Sequence, residues 1–140
     1  MQKLASVLVV GVVAAVACSD AFKPTFENVV GNYSLQTLTT TDTSGTTDWV
    51  AAGSTLTLTL ESNGTLSGHF FIPGAAGGGG DFNADMAGTW TLTGGVVTFN
   101  QGVDTFVRDM DFKAEKDRLT GDQMFSFNAV PTRVRLVLTK

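Results

Sequence analysis

The sequence predicts an all-β protein, an eight-stranded antiparallel up-and-down barrel, and three observations carry that expectation. Apolar residues alternate with polar ones, most plainly at Leu56, Leu58 and Leu60 between threonines, the rhythm of a strand with one buried face. Turn residues punctuate the chain at short intervals, as in Ser62-Asn63-Gly64, Gly94-Gly95 and Glu115-Lys116-Asp117, so that neighbouring strands join as hairpins. Composition agrees, with 10 Phe, 16 Gly and abundant Thr favouring strands and turns over helices. Such a meander closes into a barrel or flattens into a sandwich; the barrel is adopted here because closure removes the edge strands that recruit other chains.

The first strand is expected over residues 33–39, and the clearest over 54–61, with its leucines inward and its threonines and Glu61 outward. Residues 65–72 return as its hairpin partner and stop at Pro73. Residues 86–93 resume the alternation with Gly88, Trp90 and Leu92 inward, and 96–100 pair back across Gly94-Gly95. Strands over 105–114 and 118–127 flank the charged turn, and after Pro131 the chain closes with 133–138. One turn of helix over 25–30, with Thr25 as its cap, could plug a barrel end. Two connections are too long for hairpin turns. Residues 40–53 contain Trp49-Val50 and have the length of a lid or binding loop, while residues 74–85 carry the run Gly77 to Gly80, which has no side chains to pack.

The N-terminus reads as an address. Lys3, the uncharged run from Leu4 to Val16 and the small Ala17 supply the basic, apolar and cleavage regions of a secretory signal peptide over residues 1–17. Ala14-Ala15-Val16-Ala17-Cys18 resembles the lipobox of bacterial lipoproteins, which implies lipidation of Cys18; the remainder is then expected to divide into a lipidated tether with a short helix over 18–30 and a barrel domain over 31–140. Cys18 is the only cysteine, so no internal disulfide forms, and a lone exported thiol fits use as an acylation site. By the same resemblance Ser19 stands where aspartate would retain the protein in the inner membrane, which implies the outer membrane, on its periplasmic or surface face. With Lys3 removed, 8 basic residues face 13 acidic ones, a balance that argues against nucleic acid and against electrostatic docking on anionic lipid.

Gly31-Asn32-Tyr33, following the helix candidate and opening the first strand, resembles the Gly-x-Trp with which lipocalins begin, with Tyr in place of Trp. Arg133 and Arg135 on the last strand match the place where lipocalins carry an Arg that packs across the opening aromatic. The resemblance implies a lipocalin-like barrel carrying a small apolar molecule in its mouth.

Chemistry-bearing residues are few. No catalytic set and no cofactor site are read from the sequence. His69, the only histidine, counts to the outer face of its strand with Ser67 and Phe71 and reads as a solvent-facing residue, whereas a triad would need it in a cleft. With no second histidine and the one cysteine at the lipid site, the usual zinc ligands are missing. Asp81-Phe82-Asn83-Ala84-Asp85 has the oxygen spacing of a calcium loop, yet Met86 replaces the turn glycine and no glutamate closes it. Arg108 stands out, since period-two counting places it inward with Phe106, Met110 and Phe112. Either it anchors a ligand carboxylate there, or it pairs with an acid, reaches the rim, or is displaced by a bulge. Trp90, Phe106, Met110 and Phe125 read first as core and second as a ligand lining with Arg108. The expected function is non-catalytic binding of a small apolar or amphipathic molecule; the competing class is an envelope structural or protein-interaction module with a filled barrel.

Overall fold

The structure, a computed structural model, describes residues 21–140; the signal peptide and Cys18 lie outside the described residues. A short helix α1 (Phe26–Val29) is followed by β1 (Gly31–Asp42), β2 (Gly45–Asp48), β3 (Thr55–Leu60), β4 (Thr65–Ile72), β5 (Phe82–Asp85), β6 (Gly88–Thr93), β7 (Val96–Gln101), β8 (Phe112–Glu115), β9 (Arg118–Phe127) and β10 (Val130–Thr139). Eight of these, β1, β3, β4, β6, β7, β8, β9 and β10, pair in that order, each antiparallel to the next, and β10 returns to β1. This is the expected closed up-and-down barrel, with no free edge around its circumference.

The two further strands lie where sequence reading expects loops. β1 runs on past residue 39 and turns at Thr43-Ser44 into β2, because a run of threonines suits an extended ladder as well as a loop. β5 continues along β4 in the register of β6, Phe70 opposite Ala84 and Leu66 opposite Gly88, with Met86 N–H donating to the Gly68 carbonyl between them. Residues 82–93 therefore form one long, interrupted strand. The Asp-x-Asn-x-Asp run is part of that ladder rather than a wrapped loop.

The largest difference falls on residues 105–114, of which only Phe112–Glu115 form strand with their neighbour. After Gly102 the chain coils, with Arg108 N–H donating to the Thr105 carbonyl and Asp109 N–H to that of Phe106. Gln123 of β9 replaces the missing ladder: its amide nitrogen donates to the Asp109 carbonyl and its oxygen accepts from Asp111 N–H. Thr105, Val107 and Met110 turn inward, whereas Arg108 lies on the other side of the coil. β8 consequently meets β7 only through Val96 opposite Lys113 and Val97 opposite Phe112, and the coil covers the rest of that seam.

Inside, Leu56, Leu58, Leu60, Phe70, Trp90, Val97, Phe112, Leu119, Val134, Leu136 and Leu138 fill the barrel. Two glycines set how closely the strands approach. A Cβ on Gly68 would lie 1.9 Å from the Thr57 carbonyl oxygen, and one on Gly88 would lie 2.0 Å from that of Asn100, so no other residue fits at either crossing.

One end of the barrel is plugged. Thr25 caps α1 by accepting from Asn28 N–H, Val29 is buried, and the Tyr33 hydroxyl donates to the Val29 carbonyl at 2.6 Å. Phe26 stacks on Trp90 with ring centroids 4.1 Å apart, and the Trp90 indole N–H donates to the Glu61 carbonyl. The cation over Tyr33 comes from Lys140, whose Nζ lies 5.5 Å from the ring centre and donates to the Asn28 carbonyl. Arg133, which the resemblance implies for that place, instead faces outward and holds Asp122 bidentately at 2.6 and 2.7 Å, lowering the Asp122 pKa.

Burial, reinforced by the nearby Asp117 carboxylate, pushes the Tyr33 phenol from 10.0 up to about 12. Since the folded state holds the neutral phenol, the stability it contributes is present below pH 10 and lost as pH rises through the folded value. Spectrophotometric titration of this single tyrosine is expected to show no phenolate until near pH 12, arriving together with loss of near-UV dichroism. Ionisation near pH 10 with the fold intact would place the hydroxyl in solvent.

Candidate functional site: a cavity at the open end

Opposite the plug, β1, β4, β5 and the β9–β10 turn reach a common rim, and between them lies a cavity of about 540 Å³. Its size falls within the range of small-molecule sites, roughly 300–1,000 Å³. Leu38 on β1, Phe70 and Ile72 on β4, Phe82 on β5 and Phe106 of the coil supply apolar wall. The aromatic rings form a connected array. Phe70 meets Phe82 edge-on at 5.8 Å and Phe106 at 5.6 Å, and Phe106 meets Phe127 at 6.4 Å, the edge-to-face geometry in which ring edges offset ring faces.

Trp49, from the turn after β2, joins the wall. Its backbone N–H donates to the Leu38 carbonyl and its indole N–H to the Thr40 hydroxyl at 2.9 Å. Asp48 holds that turn by accepting from the N–H groups of Val50 and Ala51. The polar lining is Thr40, Asp42, Asp104, Thr105, Asn128 and Thr132. Thr105 donates to the side-chain oxygen of buried Gln101, whose amide nitrogen has no hydrogen-bond partner among the described residues.

The residues expected from sequence to line a site are only partly brought together. Phe106 lines the cavity. Phe125 packs against Phe106 at 6.2 Å and stacks on Phe127 at 5.9 Å, outside the lining. Met110 is buried in the core, and Trp90 sits at the plugged end, so neither faces the cavity. The inward register expected for Arg108 is overturned: its guanidinium bonds Asp104 at 2.6 Å and Asp109 at 3.1 Å, on the rim side of the coil and outside the cavity lining. An Asp-x-x-x-Arg spacing brings those two groups together on a helical coil and not on a strand.

Trp49 comes from the segment whose length suggests a binding loop, whereas Leu38, Ile72 and Phe82 are legible in the sequence as apolar residues but not as a site, because their convergence depends on how far each strand extends past the core. His69 is exposed on the outer face of β4, with Asn83 and Asp85 beside it at 3.2 and 3.4 Å. Among the described residues, no group of three or more His, Cys, Asp or Glu is gathered as a metal site would require. No protein family, curated protein or solved structure matches the chain.

Proposed function

We propose that this protein is a lipid-anchored carrier: a barrel that takes up a small apolar or amphipathic molecule at its open end without transforming it. The single observation that supports the reading is the cavity of about 540 Å³ with its aromatic wall. A filled barrel would offer no such space. The leader and lone Cys18 support acylation and an outer-membrane address. The rim offers a second reading some support, since Phe127, Val130 and Val103 are each more than a third exposed, and an exposed apolar patch also suits a protein partner.

Displacement of an environment-sensitive apolar dye from the folded domain tests the carrier reading. Dye should bind at one site per barrel and be displaced by long-chain alcohols. Ile72→Trp, which fills the cavity from β4, should weaken binding at least tenfold while leaving the β-sheet dichroism unchanged. Binding unaffected by Ile72→Trp would move the site elsewhere and favour the rim as a partner surface.

A further inference from the structure

Within that carrier reading, on which the inference rests, we propose that the cavity selects amphiphiles with a cationic head, an alkylammonium or quaternary ammonium group on an apolar chain, and rejects fatty acids. Three features carry it. First, the ionisable groups of the lining are two carboxylates, Asp42 and Asp104, and no lysine, arginine or histidine stands with them. Second, the open end carries further acid: Asp48 ends β2, Asp81 and Asp109 lie on the loops there, and Arg108 is already shared between Asp104 and Asp109. Lys23, Lys116 and Lys140 gather at the plugged end. Third, the apolar wall is largely aromatic, with Trp49, Phe70, Phe82 and Phe106 among its lining, and a ring face turned to a desolvated cation attracts it where aliphatic carbon does not.

Of the two carboxylates, Asp42 is the better placed anchor. Asp104 is committed to Arg108. Asp42 has no cationic partner: its Oδ1 accepts from the backbone N–H and hydroxyl of Ser44, with the Gly45 N–H beside the carboxylate, and none of these donors neutralises its charge. The same bonds favour its ionised form and lower its pKa. A carboxylate ligand in this place would meet the like charge of Asp42 and find the Arg108 guanidinium already held by Asp104 and Asp109, whereas an ammonium meets the uncompensated Asp42 carboxylate and an aromatic wall.

Three twelve-carbon probes that differ only in the head separate the alternatives: dodecyltrimethylammonium, dodecanol and dodecanoate, each titrated calorimetrically below its micellar concentration, with near-UV dichroism recorded at saturation. The ammonium should bind about tenfold or more tighter than the alcohol, and dodecanoate weakest. Asp42→Asn should cost the ammonium about tenfold and leave dodecanol unchanged. Arg108→Met, by freeing Asp104, should tighten the ammonium severalfold, the opposite of what an anchor for a ligand carboxylate would do. Equal binding of all three probes, tighter dodecanoate, or an ammonium affinity untouched by Asp42→Asn would overturn the charge selection while leaving the carrier reading standing. Failure of all three probes to bind the folded protein would overturn both.

Discussion

Trp90→Ala is expected to destabilise the domain by about 3–5 kcal/mol, close to its whole stability. The side chain is 2 % exposed, and three separate interactions are lost with it. The indole fills the barrel beside the plug, Phe26 of α1 stacks on its face, and its N–H satisfies the Glu61 carbonyl next to the β3–β4 turn. Alanine leaves a void, frees the short helix and strips a partner from that carbonyl. Urea melts of the variant should show the midpoint collapsing with little native baseline left. A loss below about 1 kcal/mol would mean that the plug and the barrel repack around the void. Trp90→Phe, which keeps an aromatic ring for the stack but loses the N–H donor and three ring atoms of core volume, should fall between the two, at about 1–3 kcal/mol.

Cys18→Ala should have an all-or-none effect of a different kind. If Cys18 carries the acyl chains, the variant made in a bacterial host incorporates no labelled fatty acid and moves from the membrane pellet to the soluble envelope fraction. Lipid attachment contributes about 0.8 kcal/mol per buried methylene, so several chains anchor where one chain binds only reversibly. Retention of the variant in the membrane fraction at the level of the parent would show that something other than Cys18 holds the protein there.

The barrel itself was legible because its alternation is regular where it matters. Leu56, Leu58 and Leu60 point inward together, as do Trp90 and Phe99 across the β6–β7 hairpin, and a one-residue slip would turn each set to solvent. Residues 105–111 depart from the expected strand for an equally physical reason. Phe106, Arg108 and Met110 fit a period of two, but Thr105, Val107 and Met110 are the ones buried, and a short apolar segment satisfies both rhythms. The deciding term is remote in sequence: Gln123 bonds the backbone at Asp109 and Asp111 and so supports a coil where a ladder was expected. The cavity was hidden for a related reason. Its wall joins residues from β1, β4, β5, the coil and the β9–β10 turn, and only the closure of β10 on β1 makes them neighbours.

The plug also bears on which end of the barrel an anchor would hold. The described chain starts at the plugged end, where Ala21, Phe22 and Lys23 lie beside Lys116, Asp117 and Lys140, and the cavity opens at the far end of the strands. Eight positions separate Cys18 from Phe26, a leash of no more than about 3.6 Å per residue. The 10 residues of β9, at about 3.3 Å each along a tilted strand, set a barrel height of similar length. An acylated Cys18 would thus tether the barrel by its plugged end, with the mouth at the end away from the attachment. A cargo would then be loaded and surrendered on the aqueous side, from solution or to a soluble partner, and not by lateral exchange with the lipids that hold the anchor.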